Sequence, residues 1–162
     1  IGTGVGVGVA VNGQSLNGSS HPEIGHIRVP RHPDDAEFSG TCPFHGDCLE
    51  GLACGPSVIQ RYGASLSKLP EDHPGRAIEA HYLGTLAMSL ILHFMPDKII
   101  FGGGVAKTPG LVEATRDTCR AQLASYLTSY NSKKAMETLI QRPGLGLDSG
   151  IAGAFTLAAG IM

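Results

Sequence analysis

Hydrophobic and polar positions change period several times along the chain, and each change marks an element. Val5, Val7, Val9 and Val11 alternate with Gly6, Gly8 and Ala10. This period of two predicts a strand with one β-branched face and one face bare enough for close approach by backbone or ligand. Asn12-Gly13 is the dipeptide of a type I′ turn, so Gln14 to Leu16 is expected to return antiparallel. His21 to Asp47 carries no period and reads as loop, with Ile27 and Val29 a candidate short strand before Pro30.

Leu49, Leu52, Ala53, Val58 and Ile59 are the apolar positions of a helix over Cys48 to Tyr62, which Gly55-Pro56 must break or restart. Lys68 to Pro74 is a polar connector. Ile78, Tyr82, Leu86, Leu90 and Phe94 then recur at every fourth position, with Leu83, Ala87 and Ile91 widening the stripe. They predict a helix from about Gly75 to Phe94, ended by Pro96. Lys98 to Phe101 is a short buried strand. Thr108-Pro109 offers a hydroxyl N-cap and a proline in the first turn, so a helix is expected from there to about Tyr130. Thr138 to Gln141 reads as a strand and Pro143 to Leu147 as a loop. Asp148-Ser149 reads as the cap of a last helix that begins with the small residues of Gly150-Ile-Ala-Gly-Ala-Phe155. A hairpin first and β–α alternation afterwards predict an α/β domain with a mixed sheet.

The 162 residues, 42% of them hydrophobic, suffice for one domain with a full core. A net charge of -2 supplies no electrostatic footprint for nucleic acid or a membrane surface, so neither is expected as a partner. The 23 Gly and 10 Pro are clustered rather than periodic and mark turns. Ile1 is not an initiator Met, and Ile-Gly-Thr-Gly reads as the inside of a strand–turn unit. The chain is therefore expected to be the C-terminal part of a longer protein, with part of any active site elsewhere.

The densest chemistry is Cys42-Pro-Phe-His45-Gly-Asp-Cys48, sixteen residues after His26 in Glu23-Ile-Gly-His26. Two thiolates and an imidazole within seven residues can converge on one ion, and an upstream imidazole can close a tetrahedron. Borderline-soft sulfur and nitrogen donors with no open position are what structural zinc prefers. A Cys42–Cys48 disulfide is the competing pairing, disfavoured because no apolar signal segment indicates secretion. Cys54 and Cys119 have no partner at ligand spacing and are expected to be packed residues. Glu23 and Glu50 flank the cluster, where clamped carboxylates could accept hydrogen bonds from a hydroxyl-rich ligand or simply face solvent. Gly2-Thr3-Gly4 and Gly102-Gly103-Gly104 lie at strand ends, where bare backbone can approach an anion. The second lies between a strand and a helix, the usual ligand edge of an α/β sheet, but neither fits a P-loop or a dinucleotide fingerprint, and each could serve only as a turn.

Together these residues resemble the ROK family of sugar kinases (repressors, open reading frames, kinases). Gly2-Thr3-Gly4-Val-Gly, Glu23-Ile-Gly-His26, the Cys/His cluster running into Cys48-Leu-Glu50-Gly, Ile100-Phe-Gly-Gly-Gly-Val105 and Gly150-Ile-Ala-Gly-Ala appear in that family's order across the chain. Cys-Pro-Phe-His-Gly-Asp-Cys-Leu-Glu-Gly and Arg142-Pro-Gly-Leu-Gly are similar to the bacterial fructokinase branch. The resemblance implies a hexokinase-like, actin-type ATPase fold (ribonuclease H-like), this chain being its C-terminal lobe with a zinc-clipped loop over about 23–50. It implies zinc ligands at His26, Cys42, His45 and Cys48, and sugar contacts at Glu23, His26 and Glu50. It also implies a phosphate-contacting turn at Gly2, Thr3 and Gly4, with Pro56, Gly102, Gly103, Gly104, Val105 and Ala106 bordering the adenosine of ATP, bound with Mg. The family's N-terminal Asp-x-Gly-Gly-Thr loop and Asn-Asp pair are not in this sequence, so no catalytic residue is assigned here and the isolated chain is expected to be inactive. The expected whole is a cytoplasmic, homodimeric fructokinase. A sugar-responsive ROK transcription regulator, or a kinase for glucose, mannose or N-acetylmannosamine, is the alternative.

Overall fold

A computed structural model describes residues 1–146 and 149–159. Six helices and two small two-stranded ladders make up its regular structure: α1 (Leu49–Ala53), α2 (Gly55–Tyr62), α3 (Gly75–Phe94), α4 (Leu111–Leu123), α5 (Lys133–Leu139) and α6 (Ser149–Ala158) with β1 (Ala10–Val11), β2 (Gln14–Ser15), β3 (Ile99–Ile100) and β4 (Ile140–Gln141). β1 and β2 pair antiparallel across Asn12-Gly13, and β3 pairs parallel with β4. The domain is α/β as expected, but the two strand orientations occur in two separate ladders and not in one mixed sheet.

The core forms where apolar stripes converge. α3 buries Ile78, Tyr82, Leu83, Leu86, Ala87 and Ile91, and α4 meets it with Val112, Thr115 and Cys119. The Gln122 side-chain amide donates to Thr85 Oγ1 at 3.0 Å, pinning the two helices in register. Cys119 is 0% exposed, and burial pushes its thiol up to about 12, so it packs as a small hydrophobe. α3 ends at Phe94, two residues before Pro96; between them Met95 turns left-handed and its N–H closes onto Ile91 O.

Several boundaries differ from the sequence expectation. Of the alternating Val5–Val11 segment only the last two residues, Ala10 and Val11, enter a ladder; Val5–Val9 has no neighbouring strand among the described residues. Ile27 and Val29 form no strand; single turns of 3-10 helix stand at Ile24–His26 and Pro33–Asp35 instead. Gly55-Pro56 does break the helix, separating α1 from α2. α4 stops at Leu123 rather than near Tyr130, because Ala124 and Ser125 take positive φ. Thr138 and Leu139 are helical, leaving β4 only Ile140–Gln141. α4 is also entered from Gly110, not capped by the Thr108 hydroxyl. Leu147 and Asp148 lie outside the described residues, so the proposed Asp148 cap does too; Ser149 Oγ donates to Gly146 O at 3.1 Å.

One buried carboxyl stands out. Glu79 on α3 is 1% exposed and neither of its oxygens has a protein partner. Burial raises its carboxyl well above the ordinary 4.5, while the Arg61 charge pulls the other way. The folded chain then binds a proton that the unfolded chain releases. Its contribution to stability is intact below the unfolded value and declines as pH rises through that value toward the raised one. Glu79→Gln removes the titration at nearly constant shape. The variant is expected to melt above wild type at about pH 8 and close to it at about pH 4. A lower melting temperature than wild type at pH 8 would contradict this.

Candidate functional site: a Cys2His2 loop beside a glycine-walled cleft

The loop from Ile24 to Cys48 has little apolar material, so polar contacts and tight turns shape it. Cys42 and Gly46 exchange both backbone hydrogen bonds, at 3.1 and 2.9 Å, around Pro43-Phe44-His45. Gly46 closes this turn at φ 63°, a conformation glycine adopts without the Cβ penalty. The Arg31 guanidinium donates to the carbonyls of Asp35 and Phe38 and faces Asp47 at 3.6 Å. Thr41 Oγ1 and Ser57 Oγ, 2.6 Å apart, fasten the loop to α2, and Ser57 donates onward to Gly51 O at 2.8 Å.

This frame brings the ligand atoms of His26, Cys42, His45 and Cys48 all within 4.8 Å of one another. Cys42 Sγ lies 3.7 Å from the Nδ1 of both His26 and His45, and Cys48 Sγ lies 3.6 Å from His26 Nδ1. Zinc–sulfur bonds of about 2.3 Å and zinc–nitrogen bonds of about 2.05 Å at tetrahedral angles would set S···N edges near 3.6 Å. The four side chains therefore fit a tetrahedral ion of zinc's preference. Neither cysteine is in a disulfide. Burial works to raise the Cys42 thiol, but hydrogen bonds from the backbone at His45 and Phe44, with help from the Cys48 and His45 side chains, bring it down to about 6. The Cys48 thiol is raised, first by burial. One thiolate thus stands ready, and a cation would be needed to draw off the second proton.

The surroundings tie the loop to the start of the chain. His26 directs Nδ1 at the sulfurs and Nε2 toward Glu50 Oε1 at 3.8 Å, the arrangement of a metal-bound imidazole oriented by a carboxylate. Glu50 Oε2 accepts the Val5 N–H at 2.9 Å. A Cβ on Gly4 would lie 2.5 Å from that oxygen, so Gly4 is bare to admit Glu50. Glu23 stands apart: it is exposed and pairs with His21 at 2.7 Å.

A cleft of about 450 Å³ opens beyond the C-terminal end of β3, lined by Gly2, Thr3, Gly55, Pro56, Val105 and Thr108, among others. It collects Gly2, Thr3, Pro56, Gly104 and Val105 of the residues expected at a nucleotide. Gly4, Gly102, Gly103 and Ala106 do not line it. Gly102 and Val105 instead bond the first residue, through Ile1 N to Gly102 O at 2.6 Å and Val105 N to Ile1 O at 3.1 Å. The α2 residues Val58 and Ile59 and the Ser65-Leu66-Ser67 turn complete the wall. The sequence marks Val58 and Ile59 only as apolar positions of a helix and assigns Ser65 to Ser67 to no element, and nothing local marks any of them as ligand-facing.

An α/β domain carrying a Cys2His2 loop next to a glycine-walled cleft at a strand end is the class defined by fold and site. The profile of the ROK family matches residues 1–161, and the chain belongs to that family. A fructokinase of Zymomonas mobilis is 41% identical over 160 residues, covering 98% of this chain and 52% of the relative. A fructokinase of Pediococcus pentosaceus is 41% identical over 158 residues, covering 98% and 53%. Among solved structures, the ROK hexokinase from Thermus thermophilus superposes with a TM-score of 0.67 at 26% identity, over 95% of this chain and 53% of that one. The chain thus has the fold of the corresponding part of a ROK hexokinase and spans about half the length of the curated relatives it matches. No helix among the described residues is long and apolar enough to cross a membrane.

Proposed function

We propose that this chain is the C-terminal lobe of an ATP-dependent fructokinase. The observation that carries the reading is the convergence of Gly2-Thr3, Pro56 and Gly104-Val105 on one cleft, with Glu50 and His26 joined to the same N-terminal turn through Val5. In this reading the cleft takes adenosine and phosphates, with Gly2 and Thr3 toward the phosphates, and Gly4, Gly102, Gly103 and Ala106 support it from behind. Glu50 accepts hydrogen bonds from sugar hydroxyls and His26 donates to them through Nε2–H, with Glu23 joining them from the rim. Zinc at His26, Cys42, His45 and Cys48 is structural: four protein ligands leave no position for water. Similarity of 41% to two fructokinases across nearly the whole chain favours fructose.

The reaction is in-line transfer. A fructose hydroxyl oxygen bonds the γ-phosphorus as the bond to the β–γ bridging oxygen breaks, and the hydroxyl proton passes to a base. That base, a carboxylate by family resemblance, comes from outside this chain. Mg²⁺ supplies neutralising charge on the phosphates when bound. A cytoplasmic homodimer belongs to the same proposal.

The test is a sugar panel on the full-length protein with ATP and Mg²⁺. Fructose is expected to give the highest kcat/KM among fructose, glucose, mannose and their N-acetylated amino sugars. A better value for any other sugar would replace the substrate, and no phosphorylation of any would reject the kinase reading.

A further inference from the structure

Thr108 has the sequence of a helix cap and does not act as one. α4 begins after Gly110, and the Thr108 hydroxyl bonds none of its N–H groups. The side chain is 0% exposed and Oγ1 has no hydrogen-bond partner. A buried hydroxyl without a partner has given up its hydrogen bonds to water and received none in return. Its main chain is fully occupied, with Thr108 N donating to Val105 O at 3.0 Å and Thr108 O accepting from Leu111 N at 3.2 Å. The residue lines the cleft together with Val105, Pro56, Val58 and Leu66.

An apolar slot with one placed polar group is how proteins fix the orientation of a flat ligand. The apolar residues offer faces for a ring, and a hydroxyl in that wall can reach only the ring's edge. We propose that the Thr108 hydroxyl reads the base of the nucleotide, donating its hydrogen bond to a ring nitrogen of a purine. This rests on the nucleotide reading of the cleft and adds to it the group that orients the base. The unmet hydroxyl of the free protein becomes satisfied on binding, so the hydrogen bond contributes to affinity and not to the stability of the empty protein.

Thr108→Val keeps the shape and removes the hydroxyl; Thr108→Ser keeps the hydroxyl. Calorimetric titration of the full-length protein with MgATP and with magnesium tripolyphosphate, which has no base, separates the possibilities. A melting curve without ligand accompanies each variant. Thr108→Val is expected to bind ATP about tenfold more weakly, tripolyphosphate unchanged, and to melt at or above the wild-type temperature. Thr108→Ser is expected to stay within about twofold of wild type for ATP. Unchanged ATP affinity in Thr108→Val would overturn the inference. Equal weakening for both ligands, or a lower melting temperature without ligand, would overturn it in favour of a structural hydroxyl. A wild-type protein that binds no ATP would overturn the nucleotide reading itself and the inference with it.

Discussion

Cys48→Ala is expected to strip the full-length protein of its metal: about one zinc per chain in wild type and less than about a tenth in the variant. Cys48 is 0% exposed, and its sulfur sits 3.6 Å from His26 Nδ1, so its loss removes one of the four donors that converge there. Zinc contributes about 10–16 kcal/mol to small domains that fold only around it. This loop has further supports in Arg31, the Thr41–Ser57 contact and the bond from Leu49 N to Ile27 O at 2.9 Å. The loss should therefore be smaller, about 3–5 kcal/mol, or roughly 10 °C in melting temperature for a chain of this size. Cys119→Ala, remote from the loop, should keep its metal. Elemental analysis showing no metal in wild type, or full retention in Cys48→Ala, would remove the metal from the account of this site.

Asp35→Ala should cost a comparable amount for a different reason. Asp35 and Arg61 form an ion pair at 2.8 Å with side chains only 3% and 7% exposed. Asp35 Oδ2 also accepts the Tyr82 hydroxyl at 2.6 Å, and the Arg61 guanidinium lies 4.0 Å over the Phe38 ring and donates to Leu52 O at 2.8 Å. Removing the carboxylate leaves a guanidinium in the interior with no opposing charge there to spare, since the nearby Glu79 is held toward its neutral form. Breaking a buried pair from one side costs about 3–5 kcal/mol, whereas replacing both partners by apolar groups is often neutral. Denaturant unfolding should show that loss in Asp35→Ala and recover most of it in Asp35→Leu/Arg61→Met. A loss under about 1 kcal/mol in Asp35→Ala would place the pair among ordinary surface bridges.

What could be read from the sequence was local. His26, Cys42, His45 and Cys48 declared themselves because chelation needs few residues at short spacing. α3 was legible because its stripe persists through twenty residues. α5 was missed although Ser132 caps it by accepting the Ala135 N–H at 3.1 Å; Thr138 to Gln141 looked like a strand of its own. Val5–Val9 shows why alternation predicts a conformation but not a ladder, which needs a neighbour that sequence spacing cannot name. Asp35 and Arg61 gave no signal, since nothing about either residue announces the other. Glu23 and Glu50 looked equivalent as flanking carboxylates, yet only Glu50 reaches Val5 and His26. At the cleft the glycine runs were visible, while Val58 and Ile59 read as ordinary apolar helix positions and Leu66 carried no signal.

The distribution of sulfur has a practical consequence. Cys54 and Cys119 are sealed in the interior, and Cys42 and Cys48 converge with His26 and His45 on one point. With metal bound, the four cysteines of this chain would offer a thiol-reactive dye almost nothing to modify at neutral pH. Their labelling would begin only as an ion departs, so the rate of colour development from Cys42 and Cys48 would act as a stopwatch for metal release, readable without any substrate.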